Sequence, residues 1–416
     1  MQLDKIIARI ELVDTKVNPA VVLGLGINGL GIVRSLGRMN IPVIGIYTDN
    51  YEVGRFSRYC NALFFPSLSD NLSDFKSKLL DLGKKLGKKS VLLPQNDMYV
   101  NFMSDNRREL EEHFLFLLPS KPLLNKLIDK REVQNLALEN GLEIPETYIP
   151  RVMPDIEKIN QDLKFPAIIK PFDSFSKKFP DRRKVVQSNL ELSKFFSNYP
   201  DFLGKTVVQE VVGKGDGFIL QCNLYLDELS QPLGVCTVRK VRQYPPNFGV
   251  GTYVKSEKNQ RIIDLSVEFL QKIGYVGPAS LEFIHDENND KYVFVELNPR
   301  YPMYHMLCTD DGVNLPFITY IDNIDEKYRK NFNRQKESIE WITFYHDRRA
   351  YFDKNINRSI KSHILWIKSI IKTKSYAWWS KDDLLPFIPS TRLYQYCYRP
   401  IWIIKRRIKY LMRSLS

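Results

Sequence analysis

Two glutamates and an asparagine near residue 290 have the types and spacing of ligands for a divalent cation. They lie in ASLEFIHDENNDKYVFVELNPR, residues 279–300, whose pattern predicts two alternating strands joined by an Asp/Asn turn. Glu296 and Asn298 share one face of a strand because side chains alternate with period two, and Glu282 faces them if the two strands pair. Three hard oxygen ligands suit Mg²⁺ held between protein and phosphates. Taken alone, such carboxylates are more often the outer surface of a half-buried hairpin.

Polar and charged residues at the ends of other apolar strands indicate a nucleotide. Lys170 is the lone charge at the end of the apolar run FPAIIKPF, and ligand-binding groups cluster at strand ends. Gln209 and Glu210 end the run KTVVQE, and the glycine turn after them contains Asp216. Such a turn offers backbone groups to an adenine edge and a carboxylate to a ribose. The segment VRKVRQYPP adds cations for phosphates, namely Arg239, Lys240 and Arg242.

The elements that must position these residues begin at the head of the chain. Residues 20–48 have the pattern of a strand, a glycine turn, a helix and a second strand, and SVLLPQND is a third such strand. This alternation predicts a parallel sheet with ligands at the carboxyl ends of its strands. The turn GLGINGLG fits G-x-G-x-x-G through Gly24, Gly26 and Gly29, and Asp49 follows where a ribose-binding acid is expected. An NAD(P)-dependent oxidoreductase that uses this loop is therefore one hypothesis.

The order of these features also resembles the ATP-grasp superfamily, of the carboxylate–amine ligase kind, over about residues 20–320. The most specific part runs from GPASLEF through VELNPR to GVNLP. The head of the chain resembles the pre-ATP-grasp domain of D-aspartate ligase-like members. In that family the head glycines serve a tight turn and close packing, the head helps to form the acceptor site, and ATP sits between the two later lobes.

The resemblance implies a fold with α/β and α+β parts. A Rossmann-like pre-ATP-grasp domain at 1–120 would precede the two-lobed ATP-grasp fold at 121–322, with lobes at about 121–211 and 212–322. Residues 323–416, rich in Tyr, Trp, Lys and Arg and poor in Gly, are expected to form a separate, basic and mainly helical C-terminal extension.

The resemblance further implies an ATP- and Mg²⁺-dependent ligase that forms an amide or peptide bond through an acyl phosphate and releases ADP and phosphate. A small-molecule carboxylate and an amine, such as an amino acid, would be the substrates, with a cell-envelope precursor as one candidate. The implied nucleotide contacts are Lys130 and Lys170 at the phosphates, Gln209 and Glu210 with the backbone of Val211 and Val212 at adenine, Asp216 at the ribose, and Lys240 or Arg239 at the γ-phosphate. The implied metal ligands are Glu282, Glu296 and Asn298 for two Mg²⁺, with Mn²⁺ as an alternative, and Arg300 would stabilise charge at the transferring centre.

One segment departs from the family pattern. Most members have a Gly- and Ser-rich phosphate lid after the second lysine, whereas residues 173–187 here, DSFSKKFPDRRKVVQ, contain no glycine. Either side chains replace the backbone N–H groups of the lid, or the lid is degraded. A non-catalytic ATP-binding protein acting at a membrane therefore stays open as an alternative.

The net charge of +13 is concentrated at the C-terminus. Residues 330–416 carry 19 Lys and Arg against 6 Asp and Glu, which accounts for all of it. In the tail, apolar residues fall at helical spacing with basic residues beside them, a pattern typical of a helix lying on an anionic membrane or packing on the protein itself. The apolar stripe is Ile401, Ile404, Ile408, Leu411 and Leu415, and the basic residues are Lys405, Arg406, Lys409 and Arg413.

Other sequence features bound the location and the partners. The five cysteines lie far apart without a CxxC pair, which favours a reducing compartment over a disulfide framework or a zinc site. No apolar run approaches the length of a membrane span, and the N-terminus does not resemble a secretory signal. We therefore expect a cytoplasmic protein, with a peripheral position on the inner face of the membrane as an alternative. No nucleic-acid-binding module is visible, so no nucleic acid is expected.

Overall fold

Three short apolar runs, each followed by a polar turn, form the core of the first sheet. The computed structural model describes residues 17–172, 179, 183–213, 217–246, 249–287, 289–324, 335–336, 339–352 and 359–390. The head consists of β1 (Ala20–Leu23), α1 (Ile27–Gly37), β2 (Val43–Tyr47), β3 (Cys60–Phe64), α2 (Leu72–Leu86), β4 (Ser90–Pro94), α3 (Asp97–Asp105), α4 (Arg107–Glu111) and β5 (Phe114–Leu115). Its strands pair in parallel in the order β3-β2-β1-β4-β5. The Rossmann-like head is thereby confirmed.

Two helices follow the head and pack on a different sheet from the one we expected. They are α5 (Lys121–Ile128) and α6 (Lys130–Glu139). The apolar side chains of Leu127 and Val133 share a hydrophobic core with Phe294 of the later hairpin. Just beyond the helices, the Glu143 carbonyl accepts a hydrogen bond from Phe294 N–H at 2.7 Å. This corrects the expected first lobe, 121–211, because its first part buries its apolar face against the second lobe.

The small lobe is a four-stranded sheet covered by two helices. It contains β6 (Thr147–Tyr148), α7 (Met153–Asp162), β7 (Ala167–Pro171), β8 (Lys184–Val186), α8 (Asn189–Asn198) and β9 (Thr206–Glu210). The strands pair in the order β6-β9-β7-β8. Apolar residues of both helices, such as Ile156 and Phe196, pack with Ile169 and Val208 of the sheet. This lobe therefore has a core of its own, and it presents Lys170 and Gln209 on one face of its sheet.

The large lobe is built on a long antiparallel sheet. Its elements are β10 (Ile219–Leu226), β11 (Pro232–Tyr244), β12 (Val250–Ser256), α9 (Gln260–Lys272), β13 (Gly277–Asp286), β14 (Lys291–Asn298), α10 (His305–Asp310) and α11 (Leu315–Ile324). The strands run in the order β14-β13-β10-β11-β12. The predicted hairpin is β13–β14, and its register places Glu282 opposite Glu296.

The described part of the C-terminal segment belongs to this same sheet. It contains β15 (Glu340–Ile342), α12 (Phe344–Tyr351), α13 (Ile360–Lys372), β16 (Ser375–Tyr376) and α14 (Phe387–Ser390). β15 pairs with β12, and β16 extends the sheet to seven strands. The fully buried Trp341 packs edge-on against Tyr304. This corrects the expectation of a separate extension after residue 323. The predicted tail helix, 401–415, lies outside the described residues.

A buried ion pair closes the chain back onto its head. Arg34 of α1 is 1% exposed and donates from Nε to Asp383 Oδ2 at 2.9 Å. Its second nitrogen donates to the Trp378 carbonyl at 2.7 Å, and Asp383 also accepts from Ser57 Oγ at 2.8 Å. A buried charge is tolerated only when it is paired and hydrogen-bonded in this way. Within the described ranges, no helix has the length and apolarity needed to cross a bilayer.

Candidate active site

Glu282 and Glu296 of the hairpin lie near a buried lysine on one face of the large sheet. Strand pairing aligns Glu282 with Glu296 on one side and with Gln221 on the other. Lys240, only 4% exposed, donates from Nζ to Glu282 Oε1 at 2.5 Å, and Gln221 Nε2 donates to the same oxygen at 2.9 Å. Glu282 and Lys240 therefore form a buried ion pair.

Glu296 continues this polar face towards the head of the chain. Asn298 Nδ2 donates to Glu296 Oε1 at 2.9 Å, and Arg300 donates to Asn298 Oδ1 at 3.3 Å. The Arg300 guanidinium also forms a bidentate pair with Asp97 at the start of α3, at 2.8 and 3.0 Å. The structure thus brings the predicted metal strand, the predicted catalytic arginine and the head into one hydrogen-bonded row.

The two facing carboxylates have opposite pKa shifts. Burial raises the pKa of Glu282, and the neighbouring charge of Glu296 adds to this, while Lys240 opposes it. For Glu296, desolvation acts in the same upward direction, but Lys240, the Asn298 hydrogen bond, Arg300 and Lys170 together lower its pKa. One carboxylate of the pair is therefore the readier proton acceptor, and the other is held as an anion.

The donor set fits Mg²⁺ and fits softer metals poorly. Over the described ranges, no group of three His, Cys, Asp or Glu side chains converges on one point. Glu282, Glu296 and Asn298 supply two carboxylates and one amide oxygen. Mg²⁺ is bound by one or two carboxylates and takes its remaining ligands from phosphates and water. The residues present fit that pattern of partial coordination.

The nucleotide-binding residues predicted in the small lobe lie next to each other. Lys170 Nζ donates to Gln209 Oε1 at 2.9 Å, and Gln209, 2% exposed, donates in turn to Thr147 Oγ1 at 2.9 Å. The positive charge of Lys170 also contributes to lowering the pKa of Glu296. The small lobe therefore carries a cation whose charge acts on the carboxylate pair.

Other predicted contacts are arranged differently. The Val211 N–H donates to the Pro166 carbonyl at 2.9 Å, so this group is already used within the protein. Glu210 Oε1 accepts from the Glu146 N–H at 3.1 Å. Val212 lies in the segment between β9 and β10, and its exposure is intermediate. Asp216 and the side chain of Lys130 lie outside the described residues, as does most of the glycine-free lid.

Arg239 is not brought to the carboxylate pair. It is the neighbour of Lys240 on β11, and successive strand residues point to opposite faces. Its guanidinium instead forms a bidentate pair with Glu257, at 2.9 and 2.6 Å, and donates to the Gly217 carbonyl at 2.8 Å. Of the two cations proposed for the γ-phosphate, Lys240 contacts the carboxylate pair. Arg239 instead binds the turn at Gly217.

Three site residues were missed by the sequence reasoning. Gln221 is a polar residue inside the apolar strand ILQCNLYL, and its Oε1 accepts a hydrogen bond from the buried Tyr304 hydroxyl. Asp97 opens α3 directly after the polar end of β4 and anchors Arg300. The break in an apolar strand was a usable signal for Gln221. Asp97 is the last residue of the run SVLLPQND, at the kind of strand end where ligand-binding groups were expected, but nothing local pointed to its partner Arg300. Tyr304 gave no local signal.

The glycine loop of the head is filled by the protein's own side chains. Gly24 has φ +87°, and a Cβ there would lie 2.0 Å from Gln95 Nε2. Gln95 Oε1 accepts from the Gly26 N–H at 2.8 Å, and Glu52 accepts from the Leu25 N–H. These are the amides that would bind a pyrophosphate in a dinucleotide-binding loop. The loop therefore serves internal packing, which argues against the oxidoreductase hypothesis.

Two comparisons with known proteins cover this part of the chain. Residues 251–318, which include the β13–β14 hairpin, match the family model of the carbamoyl-phosphate synthase L chain, ATP binding domain. The D-aspartate ligase of Enterococcus faecium is 25% identical over 324 residues, which cover 74% of this chain and 77% of that protein. Together these two matches support an ATP-grasp ligase of the carboxylate–amine kind.

Solved structures show the same fold at lower identity. The L-amino acid ligase from Bacillus licheniformis matches this chain with a TM-score of 0.58 at 13% identity, over 78% of this chain and 80% of that one. The biotin carboxylase domain of the 2-oxoglutarate carboxylase from Hydrogenobacter thermophilus, crystallised with the magnesium salt of ADP, matches with a TM-score of 0.57 at 15% identity, over 78% and 73%. The expected combination of a Rossmann-like head with a two-lobed ATP-grasp body is confirmed.

Proposed function

We propose that this protein uses ATP to phosphorylate a carboxylate substrate and then joins the resulting acyl phosphate to an amine, releasing ADP and phosphate. The observation that carries the proposal is the facing pair Glu282 and Glu296, with Lys240 at 2.5 Å from Glu282. Lys170, on the small lobe, contributes to lowering the pKa of Glu296. Two acids and two cations between two lobes suit a polyphosphate, which needs metal ligands and charge neutralisation together.

The chemistry explains why such a site is sufficient. A carboxylate does not react with an amine at neutral pH because oxide is a poor leaving group. Phosphorylation converts that oxygen into phosphate, which departs readily when the amine attacks. Both steps build negative charge on oxygen, so positioning and electrostatic stabilisation supply most of the catalysis. Mg²⁺ bound to phosphate oxygens would neutralise part of that charge.

Each residue then has a separate role. Glu282, Glu296 and Asn298 would hold Mg²⁺, which we propose as two ions with Mn²⁺ as a substitute. Lys240 and Lys170 would neutralise the phosphates. Arg300, held by the bidentate contact with Asp97, would stabilise charge at the transferring centre. Contacts of ATP with Lys130, Glu210, the Val211 and Val212 backbone and Asp216 remain predictions.

The names of two relatives guide the choice of substrates. One is a D-aspartate ligase and another is an L-amino acid ligase. We therefore propose an amino acid as one substrate, with D-aspartate tested first, and a cytoplasmic cell-envelope precursor as its partner. The head, which Arg300 joins to the metal strand through Asp97, would form part of the acceptor pocket.

A screen for ATP-dependent ADP release would test the proposal. Purified protein with ATP and Mg²⁺ would be offered a panel of carboxylates, including D- and L-amino acids, with hydroxylamine as a trap for the acyl phosphate. We expect hydroxamate for at least one carboxylate, and its loss in Glu296→Gln. Glu287→Gln, the same change at an exposed position of the same hairpin, is the matched control and should retain activity. ATP binding without ADP release for every substrate would favour the non-catalytic alternative, and full activity of Glu296→Gln would refute the metal assignment.

A further inference from the structure

Helix α13 of the C-terminal segment has one face fixed to the protein. Trp366 is 8% exposed, and its indole Nε1 donates to Asp347 Oδ2 at 2.9 Å. Phe344 and Phe352 contact the same indole ring. Asp347 is itself fully buried and paired with Arg242 of the large sheet. The helix is therefore attached rigidly to the ATP-grasp body along this face.

The opposite face of α13 carries a stripe of exposed isoleucines. Ile360, Ile364, Ile367 and Ile371 are 80, 49, 49 and 77% exposed. Their spacing of four, three and four residues places them in one narrow stripe along the helix, centred about 130° around the helix axis from Trp366. A surface helix of a globular protein normally turns such a stripe inwards. Here the stripe points outwards because the other face is the one that docks.

A row of lysines borders this stripe. Lys361, Lys368 and Lys372 are all exposed, and they fall roughly 100° around the helix from the first isoleucine. Lys372 also contacts Glu340, yet its side chain remains 69% exposed. The sequence from 359 to 381 contains no Asp or Glu. The helix thus combines an outward apolar stripe with a purely cationic flank.

We propose that α13 is a docking surface for an anionic lipid bilayer. An isoleucine stripe beside a lysine row is the arrangement by which a helix lies in the plane of a membrane, with its apolar side chains among the acyl chains and its lysines at acidic headgroups. Nucleic acid would use the lysines and leave four isoleucines in water. A second copy of this chain would bring two cationic rows together. An anionic lipid surface satisfies both the charge and the apolar stripe.

This docking surface is independent of the ligase reaction, since it contains no residue of the site. Its helix is fixed to the sheet that carries Lys240, so docking would hold the site at the membrane without closing it. The sequence after residue 390 contains seven Lys and Arg and no Asp or Glu, so its charge has the same sign. An envelope precursor with a lipid anchor would be met at that surface.

Co-sedimentation of the full-length protein with vesicles tests the proposal. Vesicles of equal parts phosphatidylglycerol and phosphatidylcholine should bind the wild type at low salt, and pure phosphatidylcholine vesicles should not. Replacing Ile364 and Ile371 together with serine should weaken binding at least about tenfold, because both side chains lose their acyl-chain contacts. Leu190→Ser on α8 is the matched control, since Leu190 is 77% exposed, as is Ile371.

A second variant separates the charge from the apolar stripe. Lys361→Gln with Lys368→Gln should also weaken binding and should flatten its dependence on salt. A wild-type protein that does not co-sediment with the anionic vesicles would overturn the proposal. Equal binding by the Ile364→Ser/Ile371→Ser variant would overturn it too, because another part of the chain would then suffice. Sedimentation velocity without lipid tests whether a second copy of the chain binds the stripe. Self-association of the wild type that Ile364→Ser/Ile371→Ser abolishes would assign the stripe to a dimer instead.

Discussion

Replacing Lys240 with methionine removes the ammonium group that contacts Glu282 and keeps the apolar stem in place. Glu282 is 8% exposed, and a buried charge left without its partner costs several kcal/mol. The unpaired Glu282 carboxylate avoids this cost by binding a proton. From its ordinary pKa of 4.5 to pH 7, protonation costs about 3 kcal/mol at 1.36 kcal/mol per pH unit. We therefore expect the variant to lose up to about 3 kcal/mol of unfolding free energy at pH 7, and less at pH 6, since the proton is then easier to acquire.

Mg²⁺ should reverse much of this loss. A divalent ion between Glu282 and Glu296 supplies the positive charge that the substitution removes, and binding at 100 times Kd stabilises a folded state by about 2.7 kcal/mol. Urea unfolding with and without Mg²⁺ would measure this, and hydroxamate formation by the variant should fall sharply. Arg239→Met, on the opposite face of the same strand, loses a partly exposed pair with Glu257 and should show no greater rescue by Mg²⁺ than the wild type. Equal Mg²⁺ stabilisation of both variants would refute the reasoning.

Three further outcomes follow from buried or bridging contacts. Arg34→Met should cost about 3 to 5 kcal/mol of unfolding free energy because it strands the buried Asp383, and adding Asp383→Leu should recover part of this loss in urea titrations; additive losses would contradict the pairing. Burial lowers the pKa of His305 to about 4, so the unfolded state takes up a proton below pH 6.5 before the folded state does. The wild type should therefore lose about 2 kcal/mol between pH 7 and pH 5, and His305→Gln should show a flatter profile; identical profiles would exclude His305 as the cause. Asp97→Asn should lower turnover about tenfold by releasing Arg300, with a stability change under about 1 kcal/mol because Asp97 is 46% exposed; unchanged turnover would remove Arg300 from the transferring centre.

The placement of Glu282, Glu296 and Asn298 on neighbouring strands was predictable because strand geometry is local. Glu296 and Asn298 had to share a face once β14 was assigned, and the short turn between the two strands made Glu282 their neighbour. The same rule separates Arg239 from Lys240, and applying it to β11 would have removed Arg239 from the phosphate contacts. Lys170 and Gln209 could be found as polar interruptions of apolar strands, although the hydrogen bond between them joins strands 39 residues apart.

The sequence-based predictions that failed concerned contacts between distant parts of the chain. The apolar pattern of α5 and α6 shows that these helices are buried, but it does not say which sheet covers them. The composition change after residue 323 indicated a new unit, whereas backbone pairing of β15 with β12 attaches that segment to the large sheet. Asp97 and Arg300 are separated by 203 residues, so no local pattern could join them. The glycine loop matched a dinucleotide motif because a tight turn filled by Gln95 needs the same glycines.

The ion pair between Arg34 and Asp383 also bears on biosynthesis. These residues are 349 positions apart, and a ribosome adds about 5 to 20 residues per second, so roughly 20 to 70 seconds separate their appearance. During that interval the guanidinium of Arg34 on α1, which is buried in the final structure, lacks its counter-ion Asp383. The head can therefore reach its final packing only after nearly the whole chain has left the ribosome. A nascent chain that stops before Asp383 would keep this part of its first domain unsettled and open to proteases.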